Sequence, residues 1–114
     1  LKNNIKTEIM DIQFNTDSSV EGKQALETYM SETISEALAR FSDKITRIEV
    51  HVSDENGDKK APNDKKCVLE ARLKGLDPIA VTASGDSIKM AVSSAITKIK
   101  AALDTTLGKL SNKR

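Results

Sequence analysis

The chain has 114 residues, 31% charged and 38% apolar, with 18 Lys and Arg against 17 Asp and Glu. That length holds one domain with one core, and the balance of apolar and charged residues excludes a disordered chain. No apolar run approaches the ~20 residues of a membrane span, the N-terminus lacks a signal-peptide pattern, and the single Cys excludes an intrachain disulfide and any multi-cysteine metal site. Cytoplasmic residence is the resulting expectation. A near-neutral net charge gives no general push toward nucleic acid.

Leu1 to Thr7 is polar and reads as a tail. From Glu8 to Asn15, Met10, Ile12 and Phe14 alternate with Ile9, Asp11 and Gln13, the period of a half-buried strand. Asn15 to Ser18 is turn chemistry, and Ser18 with Glu21 forms a possible capping box. Val20 to Phe41 has helical spacing, with Leu26, Tyr29, Met30, Ile34, Ala37, Leu38 and Phe41 on one face and Glu27, Glu32 and Glu36 on the other. Gly22 weakens its first turn and lets the start slip by a few residues. Thr46 to Ser53 alternates again, with Ile48, Val50 and Val52 inward and Arg47, Glu49, His51 and Ser53 outward.

Asp54 to Asp64 is a long polar loop holding an Asn-Gly turn signal. Lys65 to Lys74 is a strand with Cys67, Leu69, Ala71 and Leu73 inward. After the turn Gly75-Leu76-Asp77-Pro78, Ile79, Val81 and Ala83 mark the last strand. The final stretch carries apolar residues at Ile88, Ala91, Val92, Ala95, Ile96, Ile99, Ala102, Leu103, Leu107 and Leu110, one stripe of a long helix. Asp86 or Ser87 caps its start, and Gly85 lets the chain bend into it. The order β-α-β-β-β-α predicts an α+β domain, a four-stranded sheet with both helices on one face. A single domain spans residues 8–110, with a basic tail at 111–114.

Few residues offer chemistry. His51 stands between Glu49 and Ser53 on an open strand face, which reads as solvated polarity because no nucleophile or orienting group converges on it. Cys67 falls on the inward side and reads as a small buried hydrophobe. Asp54, Asn56 and Asp58 start like a calcium loop, but Lys59 and Lys60 stand where the motif needs a Gly and further oxygen ligands. The outward strand positions hold no aromatic platform on which bases could stack. The basic residues cluster elsewhere: Lys59, Lys60, Lys65 and Lys66 around the loop, and Lys89, Lys98, Lys100 and Lys109 along the last helix. Such side chains can grip phosphates by charge and hydrogen bonding. No phosphate-cradling Gly loop, nucleophile elbow or metal-binding His pair occurs, so no enzyme, cofactor, metal or small-molecule substrate is expected.

The whole pattern resembles the hibernation-promoting factor and ribosome-associated inhibitor family. The local carriers are Ile45-Thr46-Arg47-Ile48-Glu49-Val50-His51-Val52-Ser53-Asp54-Glu55-Asn56-Gly57 and Cys67-Val68-Leu69-Glu70-Ala71-Arg72-Leu73. The third is Gly85 followed by Ala91-Val92, Ala95-Ile96 and Lys98-Ile99. The likeness runs from about Met10 to Leu110, and it is to a short, single-domain branch. It implies a fold akin to a double-stranded-RNA-binding domain. It also implies a stress protein that lodges on the small ribosomal subunit, contacts ribosomal RNA and silences translation. Longer members carry a C-terminal domain that pairs ribosomes, which the resemblance does not extend to here.

Two departures stand out. Lys89 occupies the first turn of the last helix, where better-known members carry a Tyr. Asp104-Thr105-Thr106-Leu107-Gly108 replaces their Arg- and Lys-rich continuation. The rival expectation is a protein-interaction domain that keeps the fold and has lost ribosome binding, using an edge strand or the open sheet face toward a partner or a second copy.

Overall fold

The computed structural model describes residues 10–17, 20, 22–55 and 64–111, with side chains described as far as residue 108. Its elements are β1 (Ile12–Thr16), α1 (Lys23–Ala37), a 3-10 turn (Ala39–Phe41), β2 (Ile45–Asp54), β3 (Lys65–Leu73), β4 (Ile79–Gly85) and α2 (Ile88–Ser111). The strands lie in the order β1-β2-β3-β4. β1 runs parallel to β2, while β2 with β3 and β3 with β4 are antiparallel. The sheet is therefore mixed, as a β-α-β crossover followed by two hairpins requires.

Register explains the core. Phe14 lies opposite Val50, Val50 opposite Leu69, and Leu69 opposite Val81, so one inward row crosses the whole sheet. A second row joins Ile12, Ile48, Ala71 and Ile79. These side chains share one apolar cluster with Met30, Ile34 and Leu38 of the first helical segment and with Ala91, Val92, Ala95, Ile96, Ile99 and Leu103 of α2. Both helices thus cover the same sheet face. Each fully buried Ile, Leu or Val contributes about 1.5–3 kcal/mol of transfer free energy.

The helix ends differ from the sequence expectation in instructive ways. α1 starts at Lys23 rather than Val20, with Gly22 as its N-cap at φ 65° and no capping side chain. Only glycine holds that left-handed conformation without strain. The expected capping pair Ser18 and Glu21 lies outside the described residues, as do Glu8 and Ile9 of the expected first strand. The far end also closes early. α1 ends at Ala37, with the Leu38 N–H closing the last turn on the Ile34 carbonyl at 2.9 Å, and Phe41 is carried into the core by the 3-10 turn, whose Phe41 N–H donates to the Leu38 carbonyl at 2.9 Å.

For α2, Ser87 is the cap. Its Oγ accepts a hydrogen bond from the Met90 N–H at 3.1 Å. Gly85 serves a purpose other than the expected bend: a Cβ there would sit 2.8 Å from Ala91 N and 2.9 Å from Met90 Cβ. The end of β4 and the first turn of α2 touch backbone to backbone, and only a missing side chain permits it. At the same end of the sheet, where Lys65 lies opposite both Gly85 and Asp54, Glu55 N–H donates to the Asp64 carbonyl at 2.8 Å and closes the base of the long loop.

Candidate nucleic-acid interface

The candidate lysines do not share one surface. Along a helix each residue turns about 100°, so Lys98 and Lys100 point about 200° apart, to opposite flanks of α2. Lys98 faces β4, where its Nζ donates to the Thr82 carbonyl at 2.7 Å. Lys89 and Lys100, about three turns apart, share the other flank, which faces α1. There Lys89 Nζ stands 4.8 Å from the centre of the Tyr29 ring, within cation–π range. Lys100 is half-buried and pairs with no carboxylate among the described residues.

Lys65 is committed elsewhere. Its Nζ lies 2.6 Å from Asp64 Oδ1 and 3.5 Å from Asp54 Oδ2. The hydrogen bond to Asp64, helped by the charge of Asp54, holds its ammonium above the ordinary lysine range. Lys66 points to the open sheet face between Ser53 and Ser84, with no ion pair among the described residues. Lys59 and Lys60 lie outside the described residues. Lys109 has its backbone in α2 and its side chain outside them.

Two residues join the α1–α2 flank that were not among the candidate cations: Tyr29, which helical spacing placed on the apolar face of the first helix, and Arg40. Tyr29 supplies the ring beneath Lys89, and Arg40 comes from the 3-10 turn. Arg40 Nη2 is 2.7 Å from Asp104 Oδ1 of α2, and its guanidinium lies 4.3 Å from the Phe41 ring centre. Both members of that ion pair are more than half exposed, so it adds little stability. Its larger effect is to neutralise one cation of the flank. On the far side of α1, Glu27 accepts a hydrogen bond from the Thr16 hydroxyl at 2.8 Å, while Glu32 and Glu36 are exposed.

The Arg and Glu side chains of the open sheet face form one charge network. Arg47 pairs with Glu49 at 2.7 Å, and Arg72 reaches Glu49 at 3.9 Å and Glu70 at 3.5 Å. Glu49 and Glu70 are cross-strand neighbours, as are Arg47 and Arg72, so each like pair is bridged by the opposite charge. His51 is exposed beside a shallow dent lined by Asn15, Thr16, Asp17 and Ser53. Cys67 is fully buried, and loss of solvent pushes its thiol up to about 12, an inert setting. Asp54 is spent on Lys65, and Asn56 and Asp58 lie outside the described residues. Among the described residues no three His, Cys, Asp or Glu side chains gather as a metal site. Nor is any described helix long and apolar enough to cross a membrane.

A profile described as sigma 54 modulation protein / S30EA ribosomal protein matches residues 12–111. The chain belongs to that family. The match spans every element from β1 to the end of α2. No curated protein matches the chain by sequence. Among solved structures, the fold is similar to a ribosomal subunit interface protein from Coxiella burnetii, at 25% identity and a TM-score of 0.60, covering 91% of this chain and 100% of that one. It is also similar to the N-terminal domain of Thermus thermophilus Protein Y, at 15% identity and a TM-score of 0.67, covering 85% of this chain and 99% of that one. The expected resemblance and the α+β architecture are both borne out. Within this S30EA-family fold, the position of Lys89 carries a cation, and the aromatic partner comes from Tyr29 of the other helix.

Proposed function

We propose that this S30EA-family domain associates with the small ribosomal subunit, holds ribosomal RNA phosphates along the flank shared by α1 and α2, and thereby silences translation. Lys89 and Lys100 are the principal cations of that contact. The observation that carries the reading is their common placement on the α1–α2 flank, with Tyr29 under Lys89 and no carboxylate paired to Lys100. Family membership supplies the ribosomal partner, and the Coxiella structure is that of a ribosomal subunit interface protein. Phosphate contact needs mobile or unpaired cations rather than a high net charge, because each neutralised phosphate releases counterions. Lys66, on the open sheet face, is a secondary candidate, as are Lys59, Lys60 and Lys109 by residue type, and by helical spacing position 109 follows Lys98 rather than Lys89 and Lys100. Lys65 and Lys98 are set aside, because their ammonium groups already serve Asp64, Asp54 and Thr82.

Co-sedimentation with ribosomes from low to physiological salt tests this. The wild-type chain is expected to pellet, and Lys89→Glu/Lys100→Glu to lose binding and flatten the dependence on log salt by about one unit or more per lost contact. Failure of the wild-type chain to pellet even at low salt overturns the proposal. One observation favours the second reading, a protein-interaction domain. Arg47, Glu49, Glu70 and Arg72 of the open sheet face are paired with one another, which is better suited to a polar protein surface than to RNA. That reading expects no pelleting and retention by a protein partner.

A further inference from the structure

The sheet has two free edges, and they are built differently. β1 is short, only five residues, and is flanked by Asp11 and Asp17, with Glu27 tied over Thr16. β4 has seven residues, Ile-Ala-Val-Thr-Ala-Ser-Gly, with no charge and no proline. An edge of that composition presents unpaired N–H and C=O groups as a template for another strand, and natural proteins guard such edges with charge. Here no residue of the strand supplies it. The guard comes from α2: Lys98 Nζ donates to the carbonyl of Thr82, the central residue of the seven, at 2.7 Å.

We propose that Lys98 is an edge guard that keeps β4 from pairing with the β4 strand of a second copy of this chain. Thr82 lies at the centre of an uncharged segment. A two-fold antiparallel pairing about it sets each Thr82 carbonyl against the other copy's Thr82 N–H. That carbonyl is the one the ammonium holds. Pairing therefore has to break two charge-assisted hydrogen bonds, one per chain, and brings two released ammonium groups together at the two-fold axis, where like charges repel. Nothing else in the strand opposes it: Ala80, Thr82 and Ser84 are exposed and small, and a facing copy meets no bulk. The role is separate from phosphate contact, because Lys98 lies on the opposite flank of α2 from Lys89 and Lys100.

Sedimentation velocity over a wide concentration range, with amide exchange at Thr82, tests the proposal. Lys98→Met keeps the aliphatic stem and removes the charge, Lys98→Arg keeps the charge, and Lys100→Met is the control. Wild type, Lys98→Arg and Lys100→Met are expected to sediment as single chains. Lys98→Met is expected to self-associate roughly a hundredfold to ten-thousandfold more tightly, because one charge-assisted hydrogen bond per chain no longer has to be broken. Its Thr82 amide then exchanges more slowly at high concentration, and adding Ala80→Lys restores the single chain. Should Lys98→Met lose its fold, Lys98→Gln, equally uncharged and polar, is read in the same way. A folded, uncharged variant that associates no more than wild type overturns the proposal, as does association that leaves Thr82 unprotected, or wild-type chains already paired through β4.

Discussion

The two flanks of α2 carry the same kind of residue and put it to opposite uses. On the β4 side, Lys98 is locked onto a main-chain carbonyl at 2.7 Å. On the α1 side, Lys89 rests on an aromatic ring and Lys100 has no carboxylate partner among the described residues. A lysine's worth to a polyanion depends on what it must release to bind. Leaving a ring face costs about 0.5–1 kcal/mol at an exposed site, whereas leaving a carbonyl also exposes a strand edge. Counting lysines along the helix hides that distinction.

The strongest way to break the comparison is to loosen the helix that both flanks share. Ile99 is fully buried midway between them. Ile99→Ala is expected to lower unfolding free energy by about 2–5 kcal/mol in a denaturant titration. It should weaken ribosome binding and raise self-association together. Loss of only one property would mean that the flanks do not depend on a common seat.

A smaller change separates them. Ser87→Ala removes the hydrogen bond that caps the first turn of α2 and is expected to cost about 1 kcal/mol. That turn carries Lys89 but not Lys98, so ribosome affinity should fall several-fold while the chain stays single in sedimentation. New self-association in this variant would tie the β4 guard to the helix start and contradict the division.

The smallest effect sharpens the α1 side alone. Asp104→Asn frees Arg40 from its ion pair, which is exposed and worth about 0–1 kcal/mol to stability. Melting should scarcely move. Ribosome binding, by contrast, should tighten, with a salt dependence steeper by about one unit for the extra phosphate contact. An unchanged slope would place Arg40 outside the interface.

The fold was legible because its information is periodic. Alternation in Thr46 to Ser53 and Lys65 to Lys74, and the stripe from Ile88 to Leu103, each set one face inward whatever the partners are. Element ends were less legible. α1 begins at Lys23 because Gly22 takes a left-handed conformation there, a backbone fact that periodicity does not carry. The role of Gly85 was also misread, since closeness to Ala91 arises only when α2 folds back on β4.

The candidate interface was legible as residue types and illegible as a surface. That Lys98 and Lys100 diverge follows from helix geometry. Which flank meets a bare strand edge and which meets a second helix follows only from the strand order, with β4 outermost. Arg40 and Asp104 are 64 residues apart, and no local pattern announces their pairing. Lys65 read as one more loop cation, but the neighbouring Asp64 and the cross-strand Asp54 claim it.

The strand order also governs how this domain comes apart. β2 pairs with β3 and β3 with β4, each the next strand in the chain, whereas β1 reaches β2 only by crossing over through α1. A meander of successive hairpins closes shorter loops than a parallel crossover does and forms earlier. The β1–α1 segment is thus the unit suited to open on its own, ahead of the strands that α2 covers. Tyr29 leaves with it, and Arg40 follows directly after it in the chain, but Lys98 and Thr82 stay together. Partial opening therefore dismantles the α1–α2 flank proposed for RNA first and leaves the guarded edge intact, so a domain working as proposed would release RNA before it exposes the strand most able to aggregate.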